Sequence, residues 1–178
     1  MDYLEGKTVA VLTINSLDDL EDRIKKLIKS GYDVLEVTLR TSFAIDAIKI
    51  IKTVFPEVKV GAGTVLTIEQ LDECVNAGAD FGVAPGLNKE IILKAKTYKF
   101  DFIPGVATPS EIEAAIQLGI NLVKIFPVKT LGGIDYIRAI SGPYHEMKYM
   151  PTGGVTEDNH KEYLDLKNVF CVGGSWMF

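Results

Sequence analysis

Cysteine and histidine are scarce in this chain, with only two of each among 178 residues. Cys74 and Cys171 lie far apart and form no Cys-x-x-Cys pair. That argues against a disulfide scaffold and for two reduced core thiols in a cytosolic protein. His145 and His160 have no ligand-like spacing and fall at loop or helix-start positions. Both read as solvated surface residues, and no catalytic metal is expected. There is no basic run or basic–aromatic patch. Lys and Arg number 19 against 24 Asp and Glu, a net charge of −5, so nucleic acid is not an expected partner. No apolar run is long enough to span a bilayer. Met1-Asp2-Tyr3-Leu4-Glu5 carries acids where a signal peptide carries bases, so a cytoplasmic protein with no membrane partner is expected. No linker or low-complexity segment interrupts residues 1–178, which read as a single domain with a sizeable core.

What the chain does have is a repeated alternation. Short apolar runs at Thr8–Thr13, Asp33–Leu39, Val58–Gly61, Asp80–Ala84, Asp101–Pro104, Asn121–Phe126, Lys148–Pro151 and Asn168–Val172 are separated by longer amphipathic segments. The runs begin roughly every 20–27 residues, the spacing of β-α units. Leu17, Leu20, Ile24, Leu27 and Ile28 share one helical face. Ser16, Thr67 and Thr108 read as helix starts, with Thr108-Pro109-Ser110-Glu111 a capping box. Gly31, Gly78 and Gly119 read as helix stops. Eight strands with seven intervening helices predict a parallel (β/α)8 TIM barrel. The chain stops three residues after Ser175, so the eighth helix is expected to be missing. Glycine and proline recur after nearly every strand, whereas a doubly wound open sheet is expected to gather its glycines at one switch point.

Three features carry chemistry. Lys124 interrupts the apolar run Val123-Lys124-Ile125-Phe126-Pro127. One reading is a lysine whose stem packs on apolar surface while its head reaches solvent. The other is an amine kept neutral by its surroundings, able to attack a carbonyl. In the second strand, alternation puts Val34, Glu36, Thr38 and Arg40 on the inward side. Glu36 is then either an ion-pair partner of Arg40 or a proton-transfer group. Four residues along a strand separate the two heads by about 13 Å, which favours proton transfer. Thr152-Gly153-Gly154 and Gly173-Gly174-Ser175 follow strands seven and eight, where barrels bind phosphate through backbone N–H groups. The alternative is a pair of tight turns. Gly61-Ala62-Gly63 lacks the third glycine of a dinucleotide fingerprint, and Gly174-Ser175-Trp176 is not a nucleophile elbow.

Seven segments, in order over essentially the whole chain, resemble the 2-dehydro-3-deoxy-6-phosphogluconate (KDPG) aldolases. They are Glu36–Thr41, Gly61–Val65, Ala84–Gly86, Ile103–Gly105, Lys124–Pro127, Pro151–Gly154 and Gly173–Trp176. These are class I aldolases also known for 4-hydroxy-2-oxoglutarate (KHG) aldolase activity. The resemblance implies that Lys124 forms a Schiff base and Glu36 shuttles protons. It implies that Arg40, Thr64 and Pro85 hold the pyruvate end of a 2-oxo acid. Thr152 matches a position that influences stereochemical preference, and Gly153, Gly154, Gly174 and Ser175 match a phosphate cradle. Relatives acting on the galactonate epimer tend to lack Thr38-Leu39-Arg40 and the threonine before the diglycine; this chain has both. Thr13 stands where some relatives carry arginine. The resemblance further implies a homotrimer of the Entner-Doudoroff pathway, with no cofactor and no metal. A phosphosugar isomerase or decarboxylase using Glu36 as base, and a catalytically silent phosphometabolite-binding barrel, remain the alternatives from the residues alone.

Overall fold

The computed structural model describes residues 1–178. Every strand pairing is parallel. Strands β1 (Thr8–Leu12), β2 (Val34–Thr38), β3 (Lys59–Gly63), β4 (Phe81–Val83), β5 (Asp101–Ile103) and β9 (Val172–Gly174) form a curled six-stranded sheet, a half-barrel, in the order β5-β4-β3-β2-β1-β9. Strands β6 (Gly105–Val106), β7 (Leu122–Ile125) and β8 (Lys148–Pro151) form a second sheet in that order. Only Pro104 separates β5 from β6. It has no N–H to give to a ladder, so the fifth predicted strand runs as two short pieces. The Pro104 carbonyl still accepts from Lys124 N at 2.9 Å. Between β8 and β9, isolated bridges pair Tyr149 with Val169 and Thr152 with Gly173.

Helices α1 (Leu20–Lys29), α2 (Ala44–Val54), α3 (Ile68–Asn76), α4 (Lys89–Thr97), α5 (Pro109–Gln117), α6 (Val128–Leu131), α7 (Gly133–Ser141) and α8 (His160–Leu164) connect the strands. Gly132 (φ 118°) and Gly133 (φ 64°) break one connection into α6 and α7. Both predicted threonine caps form. Gln70 N donates to Thr67 Oγ1 at 3.2 Å, and Ala107 N donates to Glu111 Oε2 at 2.8 Å while Thr108 caps the same turn. Ser16 does not start a helix. Its hydroxyl is spent inside its own loop, accepting from Asp18 N at 3.0 Å, and α1 begins at Leu20.

The sheet has two distinct faces. Leu12, Leu35, Val37, Val60 and Ala62 pack outward with Ile24, Ile48, Ile51, Leu71 and Ile91 of the helices. Val9, Val34, Phe81, Val83, Ile103, Leu122, Met150 and Cys171 pack inward in a separate apolar layer with Leu4. Leu4 comes from the 3-10 turn Asp2–Leu4 and is fully buried, which stabilises the fold by about 1.5–3 kcal/mol. Side chains alternate along a strand, so the inward residues one step beyond this layer are Glu36 on β2, Lys124 on β7 and Thr152 just past the end of β8.

Two strand boundaries differ from expectation. The apolar runs end at Gly61 and Val172, but Ala62 and Gly63 continue β3, and Gly173 and Gly174 continue β9. The glycines stand there because large inward neighbours take their side-chain space. A Cβ on Gly61 would meet the Phe81 ring, one on Gly63 the Glu36 carboxylate, and one on Gly173 Thr152 Oγ1 at 2.6 Å.

Candidate active site

Glu36 on the six-stranded sheet and Lys124 on the three-stranded one meet although 88 residues separate them. Lys124 Nζ donates to Glu36 Oε1 at 3.2 Å. Lys124 is 6% exposed and Glu36 fully buried, so the lysine head does not reach solvent. Glu36 is not held by Arg40. Its Oε2 is buried with no hydrogen-bond partner, leaving one oxygen of the pair free to take a proton. The Phe126 ring centroid lies 5.4 Å from Nζ. Cys171 belongs to the same interior. Burial pushes its thiol well up from the ordinary range, and the Glu36 charge adds to the effect, so it remains a protonated packing group.

A cavity of about 260 Å³ opens from Phe126 and is lined by Arg40, Thr13, the Thr152–Gly154 segment and Gly173–Ser175. Gly153 (φ 87°) and Gly154 (φ 94°) both need the left-handed region. Gly153 packs on Phe126 and Gly154 on the Lys129 stem. Thr152, Gly153, Gly154, Gly174 and Ser175 are thus brought together with Arg40, which sits exposed just past the end of β2. Thr64 and Pro85 do not line this cavity. They follow β3 and β4, the next two strands after β2 in the sheet order. Thr64 has φ 61°, a strained conformation for a β-branched residue and a mark of functional sites. Gly63 and Phe126 carry the site's geometry but were not singled out as site residues; the inward alternation of β3 and the run after Lys124 hold the signal for them. No group of three or more His, Cys, Asp or Glu could hold a metal ion.

A parallel α/β fold with a lysine–carboxylate pair buried at its centre is suited to imine chemistry. Residues 2–178 match the family model "Aldolase: KDPG and KHG aldolase". The KHG/KDPG aldolase of Escherichia coli (strain K12) is 41% identical over 172 residues, 97% of this chain and 81% of that protein. A crystal structure of the KDPG aldolase from Legionella pneumophila, with pyruvate captured at low pH as a covalent carbinolamine intermediate, superposes with a TM-score of 0.93 at 40% identity, covering 98% of this chain and 85% of that one. The Zymomonas mobilis ZM4 enzyme with 3-phosphoglycerate gives 0.93 at 36% identity, over 98% and 83%. The chain belongs to the KDPG and KHG aldolase family and is a carbon–carbon lyase of class I aldolase fold. No helix is long and apolar enough to cross a membrane.

Proposed function

We propose that this protein cleaves 2-dehydro-3-deoxy-6-phosphogluconate to pyruvate and glyceraldehyde 3-phosphate, with Lys124 as the imine-forming residue and Glu36 as the proton shuttle. The observation that carries the proposal is the buried 3.2 Å contact from Lys124 Nζ to Glu36, whose second oxygen has no partner. The amine of Lys124 adds to the C2 carbonyl, giving a carbinolamine of the kind captured with pyruvate in the Legionella relative. Loss of water gives an iminium. Glu36 takes the C4 hydroxyl proton. The C3–C4 bond breaks, its electrons pass into the iminium, and glyceraldehyde 3-phosphate leaves. Glu36 then returns the proton to C3 of the enamine. Water hydrolyses the new iminium, freeing pyruvate and Lys124. The iminium is the electron sink, so the chemistry calls on no metal or organic cofactor.

Neighbouring strand ends support the binding roles. Arg40, Thr64 and Pro85 follow β2, β3 and β4, adjacent in the sheet, and are assigned to the pyruvate end. Arg40 offers the planar fork that takes a carboxylate bidentately. Thr152, Gly153, Gly154, Gly174 and Ser175 are assigned to the aldehyde half and its phosphate. 4-Hydroxy-2-oxoglutarate shares the pyruvate half and is a second substrate on this reading, in keeping with the name of the Escherichia coli relative. The two sheets are read as one closed eight-stranded (β/α)8 barrel, which the Pro104 junction and the Tyr149–Val169 and Thr152–Gly173 bridges favour. A cytoplasmic homotrimer in the Entner-Doudoroff pathway rests on the family resemblance alone, and light scattering tests the trimer. Borohydride reduction with pyruvate, followed by peptide mapping, tests the chemistry. The adduct is expected on Lys124; an adduct on Lys129 or Lys148, or none, removes the assignment.

A further inference from the structure

Thr13 lies one residue past β1 and lines the cavity that runs from Phe126 to Ser175. Its hydroxyl is 3.1 Å from that of Thr38. Thr38 Oγ1 in turn donates to the Leu12 carbonyl at 3.0 Å. A carbonyl can only accept, and a hydroxyl has one proton to give. The Thr38 proton is therefore committed to Leu12, and the Thr13 proton to Thr38. What remains on Thr13 is lone pairs, so the polar edge it adds to the cavity wall is an acceptor.

The other polar groups assigned to this cavity are mostly suited to anions. Arg40 can only donate, Gly153 and Gly154 bring backbone N–H groups, and Ser175 brings a hydroxyl proton. The backbone N–H groups and Ser175 suit phosphate oxygens, and Arg40 the substrate carboxylate. The aldehyde half of the proposed substrate carries one further polar group, the C5 hydroxyl between the cleaved bond and the phosphate. That hydroxyl has a proton and needs an acceptor in a half-buried wall.

We infer that Thr13 is a specificity-determining residue whose hydroxyl accepts a hydrogen bond from the hydroxyl of the aldehyde fragment, selecting 2-hydroxy-3-phosphoaldehydes over their deoxy counterparts. The inference rests on the aldolase reading above. It extends a hydrogen-bond chain that runs from substrate through Thr13 and Thr38 to the Leu12 carbonyl.

The test is aldol addition of pyruvate to D-glyceraldehyde 3-phosphate and to 3-oxopropyl phosphate, which lacks only the hydroxyl. Thr13→Val keeps the side-chain shape and removes the acceptor. It is expected to lower kcat/KM for glyceraldehyde 3-phosphate about tenfold, the worth of one hydrogen bond, chiefly through KM. The value for 3-oxopropyl phosphate and the trapping of pyruvate on the protein should not change. Thr13→Ser should retain the preference for the hydroxylated aldehyde. If Thr13→Val does not fold, Thr13→Ala read against Thr13→Ser makes the same comparison. Equal losses with both aldehydes, or no loss with either, overturn the role of Thr13 while leaving the aldolase reading intact. Absence of a pyruvate adduct in the unmodified protein overturns that reading, and the role of Thr13 with it.

Discussion

Asp80, just before β4, and Glu36, in the middle of β2, are both carboxylates drawn into the fold beside lysine. Their surroundings differ in one respect. Asp80 is saturated: Oδ2 accepts from Lys52 at 2.7 Å and from Val60 N at 2.8 Å, and Oδ1 from Lys59 at 3.2 Å. Glu36 is more deeply buried yet has a single partner, and its second oxygen has none. A buried polar atom without a partner costs about 1–3 kcal/mol, so a purely structural carboxylate would be placed as Asp80 is. The two also use different lysines. Lys52 and Lys59 are partly exposed, whereas Lys124 is 6% exposed. The saturated carboxylate holds elements together. The unsaturated one has an oxygen left over, which the proposed proton shuttle uses.

That contrast can be broken most severely at Glu36. Glu36→Gln is nearly isosteric, so the fold and some pyruvate imine should survive. Turnover should fall by roughly 10²–10⁴, the usual contribution of a positioned acid–base group. Near-normal turnover, or collapse of the fold with glutamine, returns Glu36 to the same class as Asp80. A smaller effect is expected from Gly63→Ala. The added Cβ lands on the Glu36 carboxylate, a side chain that can yield, so the protein should still fold. Glu36 must then leave its place beside Lys124, and a displacement of about 1 Å in a reacting group can cost 10²-fold. Steady-state kcat with circular dichroism as the folding control reads this. Unchanged kcat would mean that the glycine serves only packing.

Much of this contrast was legible in the sequence, and part was not, for identifiable reasons. Alternation along Val34–Thr38 placed Glu36 inward, because Leu35 and Val37 are the outward core residues they look like. Lys124 was conspicuous because an ammonium in an apolar strand needs an explanation. The glycines at positions 31, 78 and 119 end their helices at positive φ as read. Periodicity within a strand is silent on which inward residue of one strand meets which of another, so the Lys124–Glu36 contact across 88 residues was not deducible. The strand was read to stop at Gly61, two residues short of its end at Gly63, because a strand whose inward positions are empty has no hydrophobic pattern. Its logic lies in Phe81 and Glu36, which fill the space. Arg40 shares the inward phase of β2, but the strand ends at Thr38. Phase alone could not say that its side chain would reach the cavity beside Gly153 and Ser175.

The smallest expected effect on catalysis, and the one that isolates stability, is at Asp80. Asp80→Asn should leave turnover and pyruvate trapping unchanged while lowering stability by about 1–3 kcal/mol through the weakened contacts to Lys52, Lys59 and Val60. The pH dependence gives a sharper signature. Burial by itself would raise the Asp80 pKa, but hydrogen bonds from Lys52 and Val60 N–H and the Lys52 charge outweigh it, and the net shift is downward. A carboxyl whose pKa is lower in the folded than in the unfolded chain binds fewer protons when folded. Its stabilisation is fully present above the unfolded value, about 4, and is lost as pH falls through the lower folded value. The difference in Tm between wild type and Asp80→Asn should therefore be constant from neutral pH down to about pH 5 and shrink below about pH 4. A difference that persists undiminished into strong acid would show that packing, rather than the ionised carboxylate, is what Asp80 contributes.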